Sequence, residues 1–366
     1  MKIVINGANL RGFGSRKVGQ GVLRAWSQQE FDDQLTAWVP DSWQWSDREL
    51  GSQHLIRRVS AGMPAKFVAD NYSIRRNLDD IDADVLFSLG DTSLIASKVP
   101  HLLLVQQAYL AYAPEAWGYI PNNKFRAKMA LMAAYFRAGR STVSRFTVQS
   151  HAMKSRLCAR WDLTPSQVFV VPSAIDIQAS TRWSIESQSE RPYLLYIASA
   201  SSHKNFEIIA SLLHALPNSL NALICKISVC ADEVPGLVES ARKLGVLERI
   251  EFLGAVEDIN TLIAKAQAFI MPSKLESFGL PYYEAMAIGC PLIVSDMDFA
   301  REACGDAVLY ANPDSGEDFA AQVVKVLSST EAQKEFAQHA RERYEDVRIS
   351  WDEVAKAYRA LLIEMC

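Results

Sequence analysis

The stretch PSKLESFGLPYYEAMAIGCPLIVSD, residues 272–296, decides the fold that the sequence predicts. The apolar run AFIMPS at 268–273 leads into it and predicts a buried strand. A helix is then predicted from Pro281, which suits the first helical turn, to Gly289, which suits the position just past a helix. The run PLIVSD at 291–296 predicts the next strand. Strand, loop, helix and strand in this order are typical of a parallel α/β sheet.

The same alternation covers most of the chain. Apolar runs typical of buried parallel strands alternate with segments of helical spacing. In the first half these runs lie at 2–7, 35–40, 84–90, 101–107, 145–150 and 168–173. In the second half they lie at 193–199, 224–230, 250–256, 268–273 and 291–296. Two such series predict an α/β protein with two Rossmann-like, doubly wound domains.

The polar residues 177–191 interrupt the alternation and predict a linker. We therefore predict one domain over 1–176 and a second over 192–350, and we expect the last helical segment, 351–366, to pack back on the first domain. Ligands of open parallel sheets bind at the carboxyl ends of the strands. The chemistry is therefore expected in strand-to-helix loops, with the two domains facing each other across a cleft.

Composition narrows the protein class. The chain has 366 residues, of which 49% are hydrophobic and 22% charged, enough apolar side chains for two cores. Its six cysteines include no CxxC pair, which argues against a zinc site or a disulfide framework and favours a reducing compartment. The sequence shows no secretory signal and no apolar stretch near the roughly 20 residues that span a bilayer. We expect a cytoplasmic protein.

Two carboxylates flank the start of the helix predicted within 272–296. Glu276 precedes the helix and Glu284 lies one turn inside it. The free backbone amides of a first helical turn form an anion site. A sugar nucleotide accounts for carboxylates beside such a site, because its ribose and hexose hydroxyls are good partners for them. The alternative is that both carboxylates only cap the helix.

ESFGLPYYEAMAIGCPL resembles the Glu-x7-Glu motif of the retaining glycosyltransferases of family 4, which have the GT-B fold. The resemblance extends through RIEFLGAVEDINTLIAKAQAFIMPS (249–273) and DFAREACGDAVLYANPDS (298–315). The first half resembles the family in its order of predicted strands and helices more than in its residues. The resemblance implies that the first domain lies on the acceptor side and that the second binds the nucleotide-sugar donor. Members of this family generally need no metal and no cofactor.

The resemblance also implies roles for matched residues. Glu284 would hold the donor ribose, and Glu276 would contact the donor sugar near the diphosphate. The amides of Phe278, Gly279 and Leu280 would cradle phosphate or sugar oxygens.

A second loop, within YIASASSHKNFEII (196–209), carries Lys204 at the predicted start of a helix. A lysine there can place its ammonium group on a diphosphate. The family usually has an Arg, or sometimes a Ser or Thr, about five residues earlier, and this chain has Ser199, which offers only a hydroxyl. The alternative is a surface lysine that begins a helix.

Two loops of the first half are expected to contribute. The glycine-rich segment 7–26 is predicted as a loop in which Gly19 and Gly21 approach the donor, the alternative being a flexible loop tip. Gln106 aligns with a His that many relatives carry against the donor sugar. An amide can bond a hydroxyl but cannot take a proton. We predict Glu276, Lys204 and Gln106 as the catalytic residues.

The basic stretch 124–160 holds nine Lys and Arg residues, and no acidic residue lies between Glu115 and Asp162. Interleaved apolar side chains make it a candidate for contact with an anionic membrane, on the cytoplasmic face of the inner membrane. The alternative is a solvated helix face. No nucleic-acid motif is present, so we expect no nucleic-acid partner.

These observations favour a retaining, metal-independent transferase that moves a hexose, with mannose the first guess, from a GDP- or UDP-sugar. The expected acceptor is a lipid-linked glycan or a polysaccharide, as in lipopolysaccharide or exopolysaccharide synthesis. Two alternatives stay open: a GT-B nucleotide-sugar epimerase or hydrolase, and a non-catalytic sugar-nucleotide-binding protein.

Overall fold

The computed structural model describes all residues of the chain except 30, 44–53, 61, 93, 118, 120–121, 176 and 178–180. Its contacts divide the chain into two compact units. The first unit comprises Met1–Ala116, Pro121–Ala174 and Ile349–Cys366. The second comprises Trp117–Ile120 and Ile175–Arg348.

The described part of the first unit contains seven parallel strands. They are β1 (Lys2–Asn6), β2 (Gln34–Pro40), β3 (Leu55–Val59), β4 (Val85–Ser88), β5 (His101–Leu104), β6 (Arg145–Val148) and β7 (Val168–Val170). Their order in the sheet is β3-β2-β1-β4-β5-β6-β7. The chain reverses its direction of travel across the sheet between β1 and β4. That point is where ligands of doubly wound sheets bind.

Helices cover this sheet. They are α1 (Phe13–Gln28), α2 (Met63–Val68), α3 (Arg75–Asp80), α4 (Ala108–Ala111), α5 (Asn123–Gly139) and α6 (His151–Trp161), with a π-helical turn, Ala69–Ile74, between α2 and α3. The last helix of the chain, Trp351–Ile363, also belongs to this unit. Its Tyr358 and Leu362 lie in the same core cluster as Ile5, Phe87 and Trp26.

The second unit has its own parallel sheet, of six strands in the described residues. They are β8 (Tyr193–Tyr196), β9 (Ile224–Ile227), β10 (Ile250–Phe252), β11 (Ala268–Met271), β12 (Leu292–Ser295) and β13 (Leu309–Ala311), in the order β10-β9-β8-β11-β12-β13. The helices are α7 (Ile208–Ala215), α8 (Pro235–Lys243), α9 (Ile259–Lys265), α10 (Leu280–Ile288), α11 (Asp298–Cys304), α12 (Gly316–Val326) and α13 (Thr330–Val347). The helix Trp351–Ile363 is α14. The prediction of two doubly wound α/β units is confirmed.

Side-chain caps start many of these helices. Each of six residues accepts a hydrogen bond from a backbone N–H of the first helical turn. They are Asn122, Ser150, Asp258, Ser315, Ser329 and Ser350. Helix α10 differs, because its N-cap is Gly279 and no side chain caps it.

Several boundaries differ from the prediction. Strands β3 and β13 were not predicted. Strand β3 lies at the edge of its sheet and is interrupted by Arg57 and Arg58, so it lacks the continuous apolar run of a central strand. Strand β13 is only three residues long. Part of the predicted linker packs on the second unit: the indole of Trp183 is buried and donates to the carbonyl of Ala266 at 2.7 Å. Residues 176 and 178–180 of that linker region lie outside the described residues.

Candidate functional site

The site predicted in the second unit is organised by the loop between β11 and α10. Gly279 adopts a left-handed backbone conformation with φ of 76°. A β-carbon at this position would overlap the ring of Tyr282, so the turn requires glycine on two counts. The turn ends the loop and starts α10 at Leu280, with Pro281 in the first turn and Gly289 as the C-cap, as predicted.

The N-terminus of α10 offers unused donors. Among the described residues, none accepts a hydrogen bond from the backbone N–H groups of Phe278, Gly279 or Leu280. The helix dipole adds about half a positive charge at this end. Together, the three amides and the dipole favour an anionic ligand.

Glu276 and Lys204 meet beside this helix end. The Nζ atom of Lys204 lies 2.5 Å from Oε1 of Glu276, and both side chains are mostly buried, at 13% and 9% exposed. The pair brings together the loop after β8 and the loop after β11. A diphosphate at this place would compete with Glu276 for the ammonium group.

A second set of contacts holds the same loops, and the sequence did not predict it. Asn205, in a left-handed conformation with φ of 57°, donates its amide to the carbonyls of Pro272 (3.1 Å) and Pro313 (2.7 Å). It therefore ties the loops that follow β8, β11 and β13. The only sequence signal was its place next to Lys204.

The side chain of Tyr196 contacts the backbone of Lys204. Its hydroxyl donates to the carbonyl of Lys204 at 2.7 Å and lies 3.2 Å from the hydroxyl of Ser273. Burial raises the pKa of Tyr196 well above its usual value, so this hydroxyl stays protonated. Burial, followed by the charge of Lys204, lowers the pKa of the neighbouring His203 to about 4. That imidazole is therefore neutral at pH 7, and Lys204 supplies the positive charge.

Two more of the residues predicted to bind the donor, Glu284 and Ser199, lie in the same unit. Glu284 lies in α10 and is 8% exposed, so its carboxylate is largely withdrawn from water. Ser199 is exposed in the loop after β8, with its hydroxyl 3.4 Å from that of Ser201. Lys204 does not begin a helix as predicted: it ends a 3-10 turn, and α7 begins only at Ile208.

Gln106 lies in the first unit, directly after β5. Its side-chain amide donates to the carbonyl of Leu89 at 2.7 Å, and its backbone N–H donates to Asp91 at 2.7 Å. Asp91 has φ of 57°, and burial raises its pKa to about 6, against the lowering effect of bonds from the N–H groups of Gln106 and Gln107. These groups lie at the carboxyl ends of β4 and β5, beside the switch point of this sheet.

Gly19 and Gly21 are not in a loop. The segment 13–28 is helix α1, and both glycines are buried within it. A β-carbon at Gly19 would overlap the side chain of Leu10, and one at Gly21 would overlap the indole of Trp351. Their structural role is therefore close packing. Their contact with a donor stays a prediction.

No group of three or more His, Cys, Asp or Glu side chains in the described residues is arranged to hold a metal ion. The described helices include none that combines the length and apolarity needed to cross a bilayer.

Comparison with known proteins relates the second unit to glycosyltransferases. Residues 178–343 match the family described as Glycosyl transferases group 1. The O-antigen chain mannosyltransferase RfbU of Salmonella typhimurium is 25% identical over 191 residues, 51% of this chain and 52% of RfbU. The O-antigen chain mannosyltransferase B of Escherichia coli is 31% identical over 180 residues, 46% of each chain.

The fold of the whole chain matches as well. The crystal structure of Anabaena Alr3699/HepE in complex with UDP-glucose has a TM-score of 0.74 at 14% sequence identity, over 100% of both chains. The chain has the GT-B fold. The chain spans about half the length of the two mannosyltransferases it matches. At 14% identity the likeness to HepE establishes the fold alone.

Proposed function

We propose that this GT-B protein is a retaining hexosyltransferase that uses a nucleoside-diphosphate sugar as its donor. One observation carries the proposal: the buried Lys204–Glu276 pair lies beside three backbone N–H groups that bond no other described residue. An ammonium group and a helix N-terminus suit a diphosphate, and a carboxylate suits sugar hydroxyls. Few other ligands carry both groups.

The proposed roles follow from charge development during transfer. Cleavage of the bond between the sugar and the diphosphate leaves negative charge on the phosphate, which Lys204 and the amides of Phe278, Gly279 and Leu280 stabilise. Glu276, released from Lys204 by the donor, turns to the sugar hydroxyls. Because these groups offset the diphosphate charge, we propose that transfer needs no bound metal and no cofactor.

The donor sugar is proposed from the relatives. Two of them are named O-antigen chain mannosyltransferases, which supports mannose, a glycan acceptor and a role in cell-envelope glycan synthesis. HepE was crystallised with UDP-glucose, which keeps UDP beside GDP as a candidate nucleotide. We propose Glu284 as the ribose contact, which is common to both nucleotides.

The donor can be identified by a panel assay. Purified protein is incubated with GDP-mannose, UDP-glucose and related donors, with and without lipid-linked acceptor and with EDTA, and released nucleoside diphosphate is measured. Acceptor-dependent release that survives EDTA supports the proposal. Acceptor-independent turnover would instead indicate an epimerase or hydrolase, and binding without turnover a non-catalytic protein.

Substitution of Glu284 tests the site itself. We expect Glu284→Gln to weaken donor binding by about tenfold to a hundredfold, because a hydrogen bond to a charged group contributes about 1.5–3 kcal/mol. Calorimetric titration with the free nucleoside diphosphate measures this. Glu302→Gln, a change on the neighbouring helix α11, serves as the control. Equal affinity of the wild type and Glu284→Gln would contradict the assignment of the ribose contact.

The acceptor is proposed to be lipid-linked, with the first unit at an anionic membrane surface. The basic stretch 124–160 is a poorer surface than the sequence predicted, because part of it bonds internally. Arg140 donates to the carbonyl of Trp161 (2.5 Å), Arg160 to that of Tyr112 (2.5 Å), and Arg145 pairs with Glu364 (2.6 Å). Lys124, Arg126 and Lys128 of α5 are exposed.

A further inference from the structure

The first unit displays a cluster of exposed apolar side chains. Single exposed apolar residues are ordinary, but a group of large ones indicates a contact surface. Five of the eight large apolar side chains that are markedly exposed in the described residues lie around α2, the π-helical turn and α5. They are Phe67 (48% exposed), Val68 (56%), Tyr72 (66%), Ile95 (40%) and Leu131 (60%), which we call the apolar patch.

The contacts beneath the patch bring Phe67, Ile95 and helix α5 together. Asn71 donates to the carbonyl of Phe67 (3.1 Å) and to the hydroxyl of Tyr135 (3.0 Å), and it accepts from the N–H of Ile95 (2.9 Å). The ring of Phe67 lies 5.6 Å from that of Tyr135. Leu131 precedes Tyr135 by one turn of α5 and so lies on the same side of the helix. Val68 directly follows Phe67 in α2, and Tyr72 lies four residues further on, in the π-helical turn.

A buried polar network fixes the patch in place. Asp70, fully buried in the π-helical turn, accepts hydrogen bonds from Lys66 (2.5 Å), Tyr135 (2.7 Å) and Asn6 (2.9 Å). Asn6 is the last residue of β1. The patch is therefore anchored to the carboxyl end of β1, the edge where doubly wound sheets bind ligands.

The charges around the patch are mainly positive. Lys128 lies one turn before Leu131 on α5, and Arg75 one turn after Tyr72, and both are exposed. The interval between Glu115 and Asp162, which includes all of α5, contains no acidic residue.

The acidic residues of the helix that follows the π-helical turn are paired. In helix α3, Asp79 lies 3.3 Å from Lys98, and Asp80 lies 3.7 Å from Arg76. The patch thus combines aromatic and aliphatic groups with a positive border. This combination matches an anionic bilayer, which offers an apolar interface beneath negative headgroups.

We propose that the apolar patch is the surface by which this protein docks on an anionic lipid bilayer. Phe67, Tyr72 and Leu131 enter the interface, and Lys128 and Arg75 meet the headgroups. The inference deepens the proposed function, and it rests on that function only where the acceptor is concerned. Docking here would bring the carboxyl end of β1 close to the leaflet that holds a lipid-linked acceptor.

Vesicle binding tests the proposal without any turnover. The full chain is sedimented with vesicles of phosphatidylcholine containing about 30% phosphatidylglycerol, and with phosphatidylcholine alone. We expect binding to the anionic vesicles, weakened by salt because screening shortens the range of the charges. The double variant Phe67→Ser/Tyr72→Ser should lose about tenfold or more in partition, since two partly exposed aromatic groups no longer reach the apolar interface.

Matched variants make the result specific. Leu55→Ser/Ile363→Ser removes two similarly exposed apolar side chains of the first unit that lie outside the patch, and it should bind as the wild type does. Lys128→Glu/Arg75→Glu should lose the preference for anionic vesicles. No binding by the wild type, or an equal loss in the control, overturns the proposal. Self-association of the wild type that Phe67→Ser/Tyr72→Ser abolishes would also overturn it, and would assign the patch to a second copy.

Donor binding separates this proposal from the proposed function. Calorimetric affinity for the nucleoside diphosphate should be the same in Phe67→Ser/Tyr72→Ser and in the wild type. A chain that binds vesicles through the patch but neither binds nor turns over any donor would leave the docking surface standing and remove the proposed function.

Discussion

Lys204 and Glu276 stabilise each other in a place that water hardly reaches. Removal of one partner leaves the other charge buried without compensation, whereas removal of both leaves neither charge. We expect Lys204→Met to lower the free energy of unfolding by about 1–3 kcal/mol. The double variant Lys204→Met/Glu276→Leu should recover part of this loss.

Urea unfolding of the two single variants and the double variant measures the coupling. The exposed pair Arg301–Asp296, on the same unit, is the control cycle, and its coupling should be within about 1 kcal/mol of zero. Strict additivity at Lys204 and Glu276 would mean that the two groups do not interact in solution.

Asp91 gives the first unit a pH dependence of known sign. Burial raises its pKa from 3.8 to about 6, so between these values the folded chain holds a proton that the unfolded chain has released. The contribution of Asp91 to the free energy of unfolding therefore falls as the pH rises from about 4 to 6.

The variant Asp91→Asn keeps an oxygen for the N–H groups of Gln106 and Gln107 but cannot titrate. We expect the stability of the wild type relative to Asp91→Asn to fall between pH 4 and pH 7 and then to level off. Denaturant titrations at a series of pH values measure it. A flat difference would show that the carboxyl group titrates in its ordinary range, and one that grows with pH would show that folding lowers its pKa.

At the scale of single elements, the sequence predicted the strands that are buried on both faces and the helix whose ends carry specific residues. Central strands such as β4 and β11 are continuous apolar runs, and α10 has a proline in its first turn and a glycine just past its end, so these elements were predicted. Strand β3 is mostly exposed and carries two arginines, because it lies at an edge. The role of Asn205 could not be predicted, because hydrogen bonds to the carbonyls of prolines distant in the chain leave no pattern in a sequence.

The first part of helix α1, before residue 22, was missed for a different reason: glycines usually break helices, and here two of them are required by packing. Trp351 occupies the space beside Gly21, and Leu10 with Trp43 occupies that beside Gly19. We expect Gly21→Ala to destabilise the chain by about 1–3 kcal/mol, despite the better helix propensity of alanine, because overpacking displaces a large ring.

Thermal unfolding compares Gly21→Ala with Gln20→Ala. Gln20 lies in the same helix and is only half-buried, so Gln20→Ala removes atoms without adding any to the core. A Gly21→Ala variant as stable as the wild type would mean that Trp351 moves aside freely.

At the scale of the whole molecule, the first unit is closed by the end of the chain. Helix α14 contributes Val354, Tyr358 and Leu362 to the core that also contains Ile5 and Phe87. The first unit thus needs residues 349–366, whereas the sheet of the second unit is complete within Ile175–Arg348. Two units with separate cores need not unfold together.

A chain that ends at Arg348 should therefore lose the first unit and keep the second. Removal of three large buried side chains from one core costs far more than the few kcal/mol by which a domain is stable. We expect limited proteolysis of this truncated chain to digest residues before about 175 and to leave a resistant fragment of the second unit, which still binds the nucleoside diphosphate. A chain that ends at Ile363 loses Glu364, Met365 and Cys366, and with them the surface pair Arg145–Glu364 and one partly buried side chain, Met365, and should resist protease as the full chain does. If the chain ending at Arg348 kept both units resistant, the core of the first unit would not depend on α14.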